Sequence, residues 1–558
     1  MSSVKLNVEA NSMFSDNSDK LEKNKAWKKY LKASSRLRKL LKYFFFAQIL
    51  IMIGLFIGIS KVIGMLKFNF IIFDTGLMRY LSTSTLSNIY SLDLLHQNYP
   101  VAFSEDFYRA GINENMNRLQ FLLNKYNEVT IPVTGELKEY FKDKKLSVYY
   151  EKIDSTYEET EYLVNVINTF ISDSKKIANT SLESFSSINE KKIFLYKNIP
   201  NYYIDALNTT IFSIMNDLIH SLHSIFIYQE GFELILVIVP ALLLILASCT
   251  LIQIEYGNQL LWEKFNNITS VSLNTYTRNI SQRLKNFHFI HEEIEKFPFK
   301  KLKKNRTFIV LIPFCKIFLF LLISVGFYLA INLYNHVLLN EVIKQDLVHM
   351  NFGGLRRMLT PLTLFWARNS AYESINKKGY RDWFQHSLVG YSDRKLESLI
   401  ESFEETQQLL MNSLNKYPLN QFRFEKYLQL MYGNSCEYIT TVNNCSATYV
   451  SHGLDLALQF YIHELRSFSS FRDENKTLSQ MINIEKYSKT IEKSFVAGLL
   501  IYANYTDEVI IEIKNNLQLT LIYYCLATMI YFLIILRALS DKLNISVENK
   551  VFVASLFN

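Results

Sequence analysis

Glycine and proline are both scarce in this chain, at 16 and 8 residues in 558. Average usage of roughly 7% and 5% would supply about three times as many. So few turn-formers over so long a chain argue against many short strands and for long helices. Recognisable enzyme motifs are lacking too. There is no phosphate-binding loop, dinucleotide fingerprint, nucleophile elbow or kinase signature. No enzymatic activity, no cofactor and no nucleic-acid partner are expected.

What the chain has is four long apolar stretches, from about Tyr43 to Leu66, Phe232 to Ile252, Phe308 to Leu333 and Leu517 to Leu536. At a rise of ~1.5 Å per residue each covers the ~30 Å hydrocarbon core of a bilayer. The expectation is a four-pass, all-α membrane protein. Its spans are 43–66, 232–252, 308–333 and 517–536, and its water-facing helical segments are 67–231 and 334–516. Segments 1–42 and 253–307 are strongly basic, and 537–558 is a short tail. The spans lack the buried Asp or Glu residues that ion-coupled transporters tend to need.

Charge sets the orientation. Basic residues crowd 20–42, from Lys20 to Lys42, and 255–306, from Lys264 to Arg306, whereas 68–231 is net negative. The positive-inside rule places both termini and the 253–307 loop in the cytoplasm, with both large segments on the far side. The basic lead before residue 43 makes the first span a signal anchor rather than a cleaved peptide. Trp27, Tyr30, Leu31, Leu37 and Leu41 line one helical face among lysines and arginines, which suits either contact with anionic inner-leaflet lipids or an ordinary basic topology signal. Within the first span, Gly54 and Gly58 form a small-xxx-small pattern for close helix packing, within the chain or in a homo-oligomer.

Of the five cysteines, Cys249, Cys315 and Cys525 lie in the apolar stretches, and only Cys436 and Cys445 lie in a water-facing segment. An isolated nearby pair in an exported segment reads as a disulfide. Sequons do not discriminate. Asn179, Asn208, Asn444, Asn475 and Asn504 fall on the far side, and Asn267, Asn279, Asn305 and Asn544 on the cytoplasmic side. His288 with His291, and His220 with His223, have the spacing of one helical turn. A solvated or interfacial helix face explains them better than a metal site or a proton-sensitive pair.

The water-facing segments have a helical apolar period. Met116, Leu119, Leu122, Leu123 and Tyr126 share one face, as do Leu396, Leu399, Ile400, Phe403, Leu410 and Leu414. The two segments also resemble each other. Gly76-Leu-Met-Arg-Tyr-Leu-Ser-Thr-Ser-Thr-Leu86 lines up with Gly354-Leu-Arg-Arg-Met-Leu-Thr-Pro-Leu-Thr-Leu364. This reads as an internal repeat of span, helical bundle and span. Arg79 and Arg357 then take matching places near the membrane-proximal end. There each either binds an acidic ligand group or pairs with a neighbouring carboxylate, and the pair is the favoured reading.

The run from Gly354 to Thr360 resembles the Gly-Arg-Gln-Arg-Met-Leu-Ser segment in helical-bundle sensor ectodomains of chemoreceptors and nitrate-sensor-type proteins. The likeness covers about ten residues and implies a four-helix bundle, flanked by spans, with the segment near a ligand site. The signalling module of those receptors has no counterpart here. In layout the chain is also similar to prominin-like membrane organisers, without their fifth span and cysteine-rich loop. The expected function is non-enzymatic: receptor-like recognition of a ligand or protein partner. A membrane-organising or adhesion role and a channel or transporter subunit are the alternatives.

Overall fold

The computed structural model describes residues 69–126, 130–131, 135–152, 155–266, 347–375, 391–415, 425–438, 449–470 and 474–530. Scattered positions within 32–60 and 274–337 are described as well. Helices dominate, as the shortage of turn-formers requires. The chain divides into two compact units. One gathers Met1–Ile59, Ile227–Tyr334 and Asn516–Asn558, and the other Ser60–Phe226 and Asn335–Asn515.

This division corrects an expectation. Segments 67–231 and 334–516 do not fold as separate bundles, since nearly all of both falls in the second unit. Its centre is a pair of helices, α1 (Asn69–His96) and α7 (Leu347–Ile375), one from each segment. Most of the described residues of both are buried. Neither helix has a polar face, so neither can be stable at the surface of a small bundle, and each needs neighbours all round. The many hydroxyls of α1 and α7 are accommodated by returning bonds to the preceding turn. Thr75 Oγ1 donates to the Ile71 carbonyl, Ser82 to Met78, Thr83 to Arg79, and Thr360 to Arg356.

Around this pair the first segment adds α2 (Glu105–Tyr126), whose stripe of Met116, Leu119, Leu122, Leu123 and Tyr126 is buried as its spacing predicts. A short strand pair follows, β1 (Thr130–Ile131) with β2 (Gly135–Glu136), then α3 (Leu137–Lys142). Next comes an antiparallel hairpin of β3 (Lys145–Lys152) and β4 (Ser155–Tyr162), in register Lys145 to Tyr162. The hairpin is a local departure from the all-α expectation. In β3, Leu146 and Val148 turn inward and Ser147 outward. The Asn198 side chain clasps its edge, accepting from Tyr149 N at 2.6 Å and donating to Tyr149 O at 2.7 Å.

Helix α4 (Leu163–Asn179) and α5 (Asn189–Asn198) complete this half. A π turn at Ile199–Tyr203 leads from α5 into α6 (Ile204–Asn266). Pro200, which has no N–H to donate, lies inside that turn and accounts for the break in the regular ladder. The second segment supplies α8 (Tyr391–Asn415), α9 (Glu425–Tyr432), α10 (Leu454–Ser470) and α11 (Glu474–Ile530). On α8, Leu396, Ile400, Phe403 and Leu410 are buried, while Glu397, Glu401 and Glu405 face outward.

Among the described residues no helix is long and apolar enough to cross a membrane. Of the four expected spans, most of 308–333 and much of 43–66 lie outside the described residues. The 232–252 stretch falls within α6, and Leu517–Ile530 within α11. Gly58, expected at a close helix contact, has nothing described within 4 Å of where a Cβ would stand. Gly54 is only half-buried. The aromatic and leucine face at 27–31 lies outside the described residues, and Lys32, Arg36, Lys39 and Lys42 are exposed. Cys436 carries a disulfide bond, Cys445 lies outside the described residues, and Cys249 and Cys525 are free.

Candidate functional site

The two repeat glycines meet. A Cβ built on Gly354 would stand 3.2 Å from the Gly76 Cα, so the helix backbones touch at this point. Further along, the Tyr90 and Phe365 rings lie 5.2 Å apart, and Arg368 Nη1 donates to Ser91 Oγ at 2.8 Å and to Ser87 O at 3.3 Å. Contacts therefore advance in the same chain direction on both helices, and α1 and α7 run parallel.

Arg79 stands one turn after Gly76 and reaches across the crossing. Its Nη2 donates to Asn351 Oδ1 at 2.7 Å and to the Asn351 carbonyl at 3.3 Å. Its Nη1 donates to Asn208 Oδ1 on α6 at 3.1 Å. These are neutral amide oxygens. Among the described residues no carboxylate pairs with this fully buried guanidinium. Burial alone pulls its pKa down to about 9, which still leaves it charged at neutral pH. Among the described residues the Arg79 Nε and Asn351 Nδ2 donors find no acceptor.

Arg357, which the sequence alignment matches to Arg79, does not form the expected ion pair among the described residues either. Its guanidinium lies 3.7 Å above the Tyr80 ring. The nearby carboxylate of Glu492 is occupied by Tyr80 Oη, Lys489 Nζ and Ser488 Oγ at 3.1, 3.1 and 3.2 Å. Burial lowers the Arg357 pKa, with Tyr80 and Glu492 opposing it. Arg356 is buried beside it, donating to Gln407 Oε1 at 2.8 Å and lying 4.2 Å over the Phe495 ring. Its pKa is also lowered by burial. The Nε atoms of Arg356 and Arg357 are unpartnered among the described residues. Among the described residues, three buried guanidiniums without a bridging carboxylate thus sit on α1 and α7. Buried charge of one sign with unmet donors is costly, and a negatively charged guest would relieve it.

Farther along α7 the chemistry is balanced. Arg368 forms a buried ion pair with Glu485 of α11. Glu485 also accepts from Tyr108 Oη at 2.6 Å and from the Ala102 N–H at 3.0 Å. Burial pushes the Glu485 carboxyl up, but the Arg368 charge and these hydrogen bonds outweigh it and hold the group below its usual range. Lys192 and Asp93 form a second buried pair, at 2.6 Å.

His349, near the start of α7, stacks on the Tyr502 ring at 4.1 Å, and its Nε2 lies 3.1 Å from Tyr427 Oη. Burial, assisted by the Arg356 charge, drives its pKa down from 6.5 to about 3, so the ring is neutral in the folded protein. The unfolded chain takes up the proton first as pH falls. The contribution of His349 to stability is therefore complete above pH 6.5 and is lost as pH falls toward 3. Replacing His349 with Phe should flatten the fall in unfolding midpoint between about pH 6.5 and 5. An unchanged slope in that variant would assign the pH dependence to other groups.

His220 and His223 lie on α6, His288 and His291 outside the described residues, and no cluster of three metal-binding side chains occurs among the described residues. The sequence pointed to Arg79 and Arg357 but not to their surroundings. Asn351, Arg356 and Arg368 gave one signal, which is polarity inside a helix that lacks a polar face, and Asn208 gave none. Comparison with protein-family models, with curated proteins and with solved structures gave no match.

Proposed function

We propose that this chain is a multi-pass membrane protein with a receptor-like recognition unit that takes a small anion at the α1–α7 crossing. The observation that carries the reading is Arg79: buried, charged, held among the described residues only by amide oxygens, and beside donors without an acceptor there, its own Nε and Asn351 Nδ2. A carboxylate, phosphate or halide would supply the missing charge and acceptors. Helices from both segments frame the site, so occupancy would tighten α1 against α7. A bundle fixed to spans can pass a small helix displacement across a bilayer.

Membrane anchoring is supported by large apolar side chains exposed at helical spacing. On α6 these are Leu234, Ile235, Ile238, Leu242, Ile245, Leu246 and Ile252, and on α11 Leu519, Ile522, Leu526 and Met529. In this reading both termini and the 253–307 loop face the cytoplasm, the exposed lysines at 32–42 meet anionic lipid, and Cys436 pairs with Cys445.

Titration of the detergent-solubilised full chain with sodium chloride, acetate or phosphate at constant ionic strength tests the proposal. At least one anion should raise the unfolding midpoint and bind by calorimetry, and Arg79→Gln should weaken that binding at least tenfold, about 1.4 kcal/mol. Equal binding by the variant, or no anion effect on the folded wild type, would remove the site.

A further inference from the structure

We infer that Asn179 is the acceptor of an N-linked oligosaccharide, at the sequon Asn179-Thr180-Ser181. The inference rests on the proposed topology, in which 67–231 and 334–516 lie across the membrane from the cytoplasm. A transferase that reads this tripeptide must reach the asparagine amide and the hydroxyl two residues on from the same side. In extended backbone, side chains i and i+2 share a face; in a helix they do not. A bulky sugar must also leave into solvent.

The described sequons differ in both respects. Asn179 is exposed and is the last residue of α4. Thr180 follows at φ −86°, ψ 131° and Ser181 at φ −62°, ψ 150°, both extended. Ser181 is exposed and makes no capping bond with its hydroxyl. The Arg109 guanidinium holds the Ile177 and Ala178 carbonyls, so α4 ends here and the tripeptide projects beyond a pinned helix terminus.

The other sequons are enclosed by helix. Asn208 lies in α6 with its Oδ1 committed to Arg79 and with Thr210 buried. Asn504 is exposed, but it lies inside α11, and the buried Thr506 donates to the Tyr502 carbonyl at 3.0 Å. Asn475 also opens α11, and its Thr477 is buried. Asn444 lies outside the described residues.

The chemistry needs a polyprenyl-diphosphate-linked oligosaccharide as co-substrate. The Asn179 carboxamide nitrogen attacks the anomeric carbon and a C–N bond forms. The C–O bond to the diphosphate breaks, and the lipid diphosphate leaves with the electron pair. One amide proton passes to a base of the transferase, and no redox change occurs.

The test is expression of the full chain in a eukaryotic secretory host, with glycosidase treatment and peptide mapping by mass spectrometry. The wild type should carry a glycan on the peptide containing Asn179. Asn179→Gln and Ser181→Ala should each lose one glycan's worth of mass, and Ser181→Thr should keep it. Glycan elsewhere in 67–231 or 334–516 with Asn179 bare would leave the topology standing and overturn this inference. Glycan at Asn279 or Asn305 would overturn the topology itself. A chain that reaches the membrane with no glycan at all also overturns the assignment of Asn179.

Discussion

Gly354→Val should destabilise the second unit by about 3 kcal/mol, the upper part of the range for forcing extra carbon into a packed interior. A Cβ at this position lies 3.2 Å from the Gly76 Cα and 3.1 Å from Arg79 Nη2. The first neighbour is backbone and cannot turn aside, so α1 and α7 must separate. Gly76→Ala is the informative contrast. Its Cβ would meet Gly354 Cα and Arg79 Nη2 at 3.6 Å, an ordinary contact. The gain in helix propensity, up to ~1 kcal/mol, offsets any crowding there. Urea unfolding of the full chain, followed by circular dichroism, should rank Gly76→Ala near the wild type and Gly354→Val far below it. Equal stability of the two variants would mean the helices do not cross at these glycines.

Glu485→Leu should cost a further-reaching 3–5 kcal/mol, on the order of the penalty for stranding one member of a buried ion pair. Arg368 would keep only Ser87 and Ser91 as partners, and Tyr108 Oη and the Ala102 N–H would lose their acceptor. The double variant Arg368→Met with Glu485→Leu should recover much of the loss, since no charge is then left without a partner. Acid should mimic the single variant. Because Glu485 is held below its usual 4.5, its contribution is complete above that pH and fades as pH falls through the lower folded value. If Glu485→Leu unfolds at the wild-type urea concentration, the pair is not what joins α7, α11 and the 102–108 stretch.

The helical class and the core stripes were legible because a 3.6-residue period needs no tertiary information. Met116, Leu119 and Leu122 are buried on the face their spacing picks out. The β3–β4 hairpin was not read, although Leu146 and Val148 alternate with Ser147. Two apolar positions two apart are too few to outvote a helix-rich context. The merging of the two segments was illegible for a different reason. Likeness between two stretches says that they fold alike and is silent on whether they touch. Within the site, Arg79 and Arg357 stood out by position, but only tertiary contact could show that amides and a ring, not carboxylates, receive them.

The register shift that carries Gly76 onto Gly354 also carries Ser87 onto Phe365 and Tyr90 onto Arg368. The contacts Ser87–Arg368 and Tyr90–Phe365 are therefore exchanged by one and the same operation. That is the signature of an isologous interface, the kind two identical subunits form across a twofold axis. Here both partners belong to one polypeptide, which frees them from having to be self-complementary. An identical pair would place Tyr90 twice or Arg368 twice. The tethered pair sets an arginine with its glutamate on one flank and an aromatic contact on the other. A true homodimer also dissociates on dilution, whereas this interface has a fixed local concentration and never has to find its mate. Separately expressed halves, 1–266 and 267–558, would regain that bimolecular step, and with it the burden of hiding two helices that have no polar face.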